Sequence, residues 1–317
     1  MKEKTISTPN ILLALGQWLG AEVHRGRLEI PEKFGNGYCA GFVLNENIRL
    51  FIFNYHLHQD VTLKNVEDGF SAHRLLFKFQ HIFPHADLPP NAQPSVLIAT
   101  STLQADAMIP VHSHTATINI EIDAAYLCQQ LSTWEQSPIL ASLLRNTQPL
   151  LFEQMISPTL QKVVAEILNE SVDESLALFF LKIKAEELVC RLLMELQKRA
   201  ERQVFALNVH DVANIYKVKN QILDNLNTPP LIKDLAVLAN MSPTKLKLLF
   251  KQIFGNSIFC YYQELRMKEA ARLLAEQNLS VSEVGYRLGF TNLSHFSRVF
   301  EEHIGTKPKK YTMTNRI

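Results

Sequence analysis

Residues 231–261 read LIKDLAVLANMSPTKLKLLFKQIFGNSIFCY, and residues 280–311 read SVSEVGYRLGFTNLSHFSRVFEEHIGTKPKKY. The second stretch nearly restates the first. Leu235-Ala236 returns as Val284-Gly285, and Ala239-Asn240-Met241-Ser242 returns as Leu288-Gly289-Phe290-Thr291, an offset of 49 residues. Further on the offset is 50, with Leu246, Phe250, Gly255 and Tyr261 returning as Phe296, Phe300, Gly305 and Tyr311. The added residue is expected at the start of the second copy's second helix. Two copies are too few for a solenoid.

Each copy predicts a helix, a tight turn and a second helix. In the first copy Leu231 to Ala239 forms a short helix with Leu235 and Leu238 inward. The turn needs a residue that tolerates positive φ, a role for Asn240 in one copy and Gly289 in the other. Ser242-Pro243 restarts the helix, with Ser as N-cap and Pro at the first helical position. In the second copy Ser280 and Glu283 have the spacing of a capping box, and Asn292 or Thr291 caps the helix that follows. This is the geometry that offers a second helix to a DNA major groove.

The second helices carry the chemistry. Leu246, Leu249, Phe250 and Phe254 turn one side inward, leaving Thr244, Lys245, Lys247 and Lys251 outward behind Ser242. In the second copy Phe296, Val299 and Phe300 pack inward and leave Asn292, Ser294, His295, Ser297 and Arg298 available. Such side chains suit base edges and phosphates, and the cations add a salt-dependent phosphate attraction. Ile258 to Leu274 predicts a connecting helix with Tyr262, Arg266, Ala270 and Leu273 at helical spacing. Such a helix is about 25 Å long at 1.5 Å per residue. With a body at each end it can hold two reading helices about one DNA turn (~34 Å) apart. Direct-repeat half-sites on one duplex face are then the expected target.

Charge agrees. The chain has 317 residues and a formal net charge of +1. From Asp211 onward it holds 15 Lys/Arg and 9 Asp/Glu, against 17 and 22 before that point. A basic C-terminal part on an acidic remainder fits a polyanion-binding module. The four cysteines, Cys39, Cys128, Cys190 and Cys260, make no C-x-x-C and read as reduced thiols of a cytoplasmic protein. The most apolar stretch, Ala177 to Leu196, holds Lys182, Lys184, Glu186 and Glu187, so no membrane span is expected. Lys2 and Lys4 precede the apolar run Ile11 to Leu19, which is short and lacks a convincing cleavage site for a signal peptide.

Residues from about 209 to 315 resemble the DNA-binding domain of the AraC/XylS family of bacterial transcription regulators. The most specific part is GYRLGFTNLSHFSRVFEEHIGTKPKKY from Gly285, joined by Tyr262, Arg266, Ala270 and Leu273-Leu274. The resemblance implies DNA contact by Arg298, with Asn292, Ser294 and Ser297 beside it, and by Thr244, Lys245 and Lys247 from the first reading helix. Many members carry an arginine where this chain has Leu248, so Lys247 or Lys251 supplies the charge. The run Ser242 to Lys247 resembles the subgroup that controls siderophore production and uptake. The family's usual N-terminal partner is a sensor, often a cupin-like β-barrel.

The first part of the chain is strand-rich. Phe42 to Leu44, Leu50 to Phe53, Leu75 to Phe79, Val96 to Ile98 and Ile118 to Ile122 read as strands, punctuated by Gly35, Gly37, Pro84, Pro89 and Pro90. From about Ala124 the pattern reads as helical. Ser175 to Arg202 predicts a long helix with a stripe of Leu176, Phe179, Phe180, Ile183, Glu187, Val189, Leu192, Leu193 and Leu196, for the core or for a homodimer. A further helix is expected over Val209 to Asn225, with a break at Asn227-Thr228-Pro229-Pro230. The expected class is therefore α+β and multidomain. A β-rich, cupin-like sensor (1–205) with a helical end precedes an all-α tandem helix-turn-helix domain (209–317).

Seven of the eleven histidines fall between residues 56 and 114. His56-Leu57-His58 and His112-Ser113-His114 place two imidazoles on one strand face, so they are candidate metal ligands as well as ordinary surface histidines. Glu121 with Phe51, Phe53, Tyr55, Phe77 and Phe79 can line an apolar pocket or simply form core. No phosphate loop, G-x-S-x-G, catalytic triad or Pro-Cys-His methyl acceptor is present, Cys39 reads as structural, and no cofactor is expected. The expected function is a regulator, and an activator, that binds promoter DNA, works with RNA polymerase and responds to a small molecule such as an iron–siderophore. The alternatives are a metal-dependent cupin-type enzyme carrying a DNA-binding tail, and a regulator with no ligand.

Overall fold

The computed structural model describes residues 8–58, 61–64, 73–83, 94–101, 108–111, 114–199, 203–276 and 279–315. They form two compact units, the first ending at Leu207 and the second beginning at Asn208. His85, His112, Pro84, Pro89, Pro90 and the end of the long helix at Arg202 lie outside the described residues.

In the first unit, helix α1 (Asn10–Leu19) precedes strands β1 (Arg27–Glu29), β2 (Gly35–Asn45) and β3 (Ile48–Leu57). Then come β4 (Val61–Lys64), β5 (Arg74–Gln80), β6 (Ser95–Thr100), β7 (Met108–Val111) and β8 (His114–Asp123). Helices α2 (Ala124–Gln130) and α3 (Pro138–Arg145), strand β9 (Leu151–Met155) and helices α4 (Pro158–Asn169) and α5 (Glu174–Gln197) complete it. Seven strands form one antiparallel sheet in the order β1-β2-β3-β8-β5-β6-β9, and β4 pairs with β7 separately.

The cupin-like barrel is corrected by this topology, since the seven-stranded sheet is open, with β1 and β9 as its edges. The physical reason is the helical layer. Ile48, Leu50, Phe77, Phe79, Ile98, Ile118, Ile120 and Phe152 join one core with α3, α4 and α5, so helices cover the apolar face that a barrel would close upon itself. Full burial of a side chain such as Phe77 contributes roughly 1.5–3 kcal/mol. Strand β9 interrupts the stretch read as helical, because a short apolar run has no period that separates strand from helix.

The stripe expected on the long helix is also corrected. In α5, Leu181, Ala185, Leu188, Val189, Leu192, Leu193 and Leu196 are buried, while Leu176, Phe179 and Ile183 are exposed. The expected stripe had merged two faces of one helix. The proposed common pocket divides as well. Phe77 and Phe79 face the helices. Alternation puts Phe51, Phe53, Tyr55 and Glu121 on the opposite face, where Tyr55 packs with α1.

His56 pairs with His114 in the β3–β8 ladder, and the His56 and His58 side chains are exposed. Among the described residues no three His, Cys, Asp or Glu side chains gather as a metal site. Cys39 is buried, and burial raises its thiol pKa well above the ordinary value. No described helix is long and apolar enough to cross a membrane.

The second unit is helical, with α6 (Val209–Asp224), α7 (Ile232–Leu238), α8 (Pro243–Phe254), α9 (Ile258–Glu276), α10 (Val281–Arg287), α11 (Leu293–Ile304) and α12 (Pro308–Asn315). The sequence duplication becomes a duplicated packing. Phe250 meets Tyr261 edge-on at 5.4 Å, and fifty residues on Phe300 meets Tyr311 edge-on at 5.6 Å. Leu235 is buried, but Leu238 is 42% exposed, and the small Ala236 and Ala239 take the inward positions expected for it.

Candidate nucleic-acid interface

Both helix-turn-helix units are built by local caps. Asn240 turns the chain at φ 50° and Gly289 at φ 77°. The Ser242 hydroxyl accepts the Lys245 N–H at 3.3 Å, with Pro243 opening α8. Ser280 and Glu283 form the capping box of α10 in both directions, at 3.2 and 2.7 Å. Asn292, rather than Thr291, caps α11 by accepting the His295 N–H at 3.0 Å. The cap residues Ser242 and Asn292 are fifty apart, so the extra residue lies in the second turn, ahead of the helix where it was expected.

Thr244, Lys245, Lys247 and Lys251 are exposed on α8, and Leu246, Leu249, Phe250 and Phe254 are buried. Ser294, His295 and Arg298 are exposed on α11, Ser297 is half-buried, and Phe296, Val299 and Phe300 are buried. Leu248 is partly exposed on α8, on the same solvent side as Lys247. Ser242 and Asn292 are exposed at the two helix starts, where the orphan N–H groups also favour anions.

The cations differ in what holds them. Lys245 donates to the Asp211 carboxylate at 2.8 Å, and Asn208 donates to the same carboxylate at 2.8 Å. Asp211 lies on α6, so Lys245 ties α6 to α8. With Lys245 half exposed, the pair contributes at most about 1 kcal/mol. Arg298 has only a 4.0 Å approach to Glu302, with both side chains largely exposed, so its guanidinium is available to a ligand. Lys307, Lys309 and Lys310 are exposed around the start of α12. The helix-face reading passed over them, although the KPKK run marks a charge cluster.

The two units are stitched together from α9. The Tyr262 hydroxyl donates to the Leu226 carbonyl at 3.1 Å, ahead of the first unit. Arg266, only 5% exposed, donates from Nε to the Leu288 carbonyl at 2.8 Å and again from Nη2 to the same oxygen. Its guanidinium carbon lies 3.7 Å from the centre of the Phe290 ring. The connecting helix therefore holds the turn of the second unit directly, where spacing alone had marked Arg266 only as a recurring position.

Two capped helix-turn-helix units on one shared helix, each with a polar and basic second helix, define a DNA-binding regulator of transcription. Residues 235–314 match the family model described as a helix-turn-helix domain. The multiple antibiotic resistance protein MarA of Escherichia coli is 30% identical over 105 residues, 33% of this chain and 83% of MarA. The uncharacterized HTH-type transcriptional regulator YobQ of Bacillus subtilis is 34% identical over 108 residues, 34% of this chain and 43% of YobQ, so less than half of YobQ is spanned. Among solved structures, a transcriptional regulator of the AraC-type DNA-binding kind from Chromobacterium violaceum is 27% identical with a TM-score of 0.32, covering 34% of this chain and 96% of that one. The chain belongs to the AraC/XylS family of transcription regulators.

Proposed function

We propose that the chain is a sequence-specific promoter activator that answers to a small molecule. The observation that carries the DNA half is the pairing of exposed α8 and α11 faces on one unit, with Arg298 available. Ser242, Thr244, Lys245, Lys247 and Lys251 serve the first half-site, and Asn292, Ser294, His295, Ser297 and Arg298 the second. Asn292 and Ser242 act first as caps and Lys245 first as a tie to α6, so base readout rests chiefly on Thr244, Lys247, Ser294, His295 and Arg298. A cytoplasmic protein that touches RNA polymerase at the promoter is the corresponding setting.

Arg298→Ala weakens specific promoter binding by ~1–3 kcal/mol, and Lys251→Ala weakens binding more evenly across sequences. Gel shifts on a promoter site found by genome-wide mapping of bound DNA decide this. Unchanged affinity in Arg298→Ala removes α11 as the second reader.

The sensor half rests on the first unit, a separate sheet-and-helix body. The resemblance of Ser242 to Lys247 to the siderophore-responsive subgroup makes iron–siderophores the first ligands to screen. Leu176, Phe179, Ile183 and Met194 are exposed along α5 at spacings of three, four and eleven residues, a seam suited to a second copy of the same helix. Phe179→Glu is expected to convert a dimer to monomer in sedimentation; an unchanged mass assigns the seam no role in assembly.

A further inference from the structure

The sheet face turned away from the helical layer carries polar groups that the fold does not satisfy. Ile118, Ile120 and Ile122 of β8 face the helices, so Thr117, Asn119 and Glu121 face the other way. On β5 the same alternation puts Arg74, Leu76, Lys78 and Gln80 on that face between Leu75, Phe77 and Phe79. Lys78 stands opposite Asn119, Gln80 opposite Thr117, and Phe51 opposite Asn119 on its other side. Directly opposed side chains start about 5 Å apart and diagonal ones about 7–8 Å. Lys78, Asn119, Thr117 and Phe51 therefore surround one small patch.

Several polar neighbours on this face meet one another, although the buried Glu121 Oε2 and Arg49 Nε themselves make no hydrogen bond among the described residues. Gln80 donates to the Ser95 hydroxyl at 2.9 Å, and Arg74 lies 3.5 Å from Glu121, which also stands opposite Arg49 in register. Three groups at the centre are left over. Thr117 Oγ1 and Asn119 Oδ1 are shut off from solvent with no hydrogen-bond partner, although a buried oxygen in that state costs about 1–3 kcal/mol. Lys78 makes no hydrogen bond or ion pair among the described residues, and burial lowers its ammonium pKa below the ordinary value. The row continues to Leu97 and then Glu153, which is two strands away from Lys78, about 10 Å at the strand spacing. A fold has no use of its own for an unpaired, partly desolvated ammonium beside two unfilled acceptors.

We infer that this patch is a binding site for a small hydroxycarboxylate with an apolar body. The ligand's carboxylate pairs with Lys78, its hydroxyl donates to Thr117 Oγ1 or Asn119 Oδ1, and its apolar part lies on the half-buried Leu97 beside Lys78. Each element of the ligand answers one unmet element of the face: an anion for the cation, a donor for the acceptors, apolar surface for Leu97. The inference rests on the ligand-responsive reading above and names the chemical class that reading lacks.

The test uses the full-length protein and three probes: 2-hydroxy-4-methylpentanoate, 4-methylpentanoate without the hydroxyl, and the neutral amide 2-hydroxy-4-methylpentanamide. Calorimetry is expected to show binding of the first and at least tenfold weaker binding of the other two. Lys78→Met removes the preference for acid over amide, and a Thr117→Val, Asn119→Leu double variant removes the preference for hydroxy acid over plain acid. Lys78→Met is also expected to raise the melting temperature of the unliganded protein, because it deletes an unpaired, desolvated charge; a purely structural lysine would lower it. Failure of the hydroxy acid to bind, or equal binding to Lys78→Met, overturns the site. A parallel gel shift on the promoter keeps the two readings separable. If the hydroxy acid binds through Lys78 yet leaves promoter affinity unchanged, the site stands and the ligand-responsive reading falls. If a sugar or ferric siderophore alters promoter affinity equally in wild type and Lys78→Met, that reading stands and this site falls.

Discussion

Gly289→Ala is expected to destabilise the second unit by several kcal/mol and to abolish specific DNA binding. Two costs combine. The turn holds Gly289 at φ 77°, where an L side chain costs about 1–2 kcal/mol. An added Cβ would also lie 1.9 Å from the Asn227 carbonyl oxygen and 2.9 Å from its carbonyl carbon. Those atoms are backbone, so the turn of the second unit or the segment before the first must move. Large losses of this kind come from strain and overpacking together, and ~3–5 kcal/mol is the appropriate scale. Differential scanning calorimetry of the full chain measures it. Gly289→Asn separates the two causes, since Asn tolerates positive φ but brings the same Cβ. If Gly289→Asn melts like wild type, the collision with Asn227 is not real. The matching change in the first unit, Asn240→Gly, removes no such constraint and is expected to be nearly neutral, because Asn240 already sits at φ 50°.

This pair of residues shows where sequence reasoning reaches and where it stops. Asn240 and Gly289 were legible as turn residues, because backbone conformation is a local property and few residue types accept positive φ. The approach of Gly289 to Asn227 was not, because it depends on a packing between segments 62 residues apart. Caps behaved like the turns. Ser242, Ser280 with Glu283, and an Asn at 292 all act through bonds spanning three residues, which sequence spacing displays directly.

Choice of buried face was less legible. Leu238 was expected inward by hydrophobicity, but α7 is only two turns long and the small Ala236 and Ala239 let it sit close to its neighbours. In α5 apolar residues line two sides, so periodicity could not say which side meets the sheet. The open sheet follows from what covers it, and a strand pattern does not announce whether helices or other strands will lie on its apolar face. On the polar face, Thr117, Asn119 and Glu121 alternate with Ile118, Ile120 and Ile122 along the sequence, so their shared side is a local property. That Lys78 stands opposite Asn119 depends on a register between segments some forty residues apart.

Arg266→Met is the other change with a large expected effect, about 3–5 kcal/mol of stability and with it the placement of α11. The guanidinium is nearly fully buried, and burial holds its pKa below the ordinary arginine value. Its desolvation is offset by two donations into the Leu288 carbonyl and by the Phe290 ring 3.7 Å away. Leu288 is the C-cap residue of α10, so its carbonyl is one of the orphan acceptors at a helix end. Methionine fills much of the volume but donates nothing, which leaves that oxygen buried without its charged partner. The ring contact adds a further loss of order 1–2 kcal/mol at a desolvated site. Arg266→Lys restores a charge but not the fork, since an ammonium on a flexible stem cannot set two N–H groups on one oxygen while lying flat on Phe290. It is expected to recover less than half of the lost stability. The distinguishing readout is DNA binding by half-site. Because α9 grips the second turn through Arg266 and the loop ahead of the first unit through Tyr262, Arg266→Met should loosen discrimination at the half-site read by α11 while leaving that read by α8 largely intact. Base-by-base substitution of the bound promoter, read by gel shift, checks this. Equal weakening at both half-sites would show that the two helix-turn-helix units melt as one body and that Arg266 supports both alike.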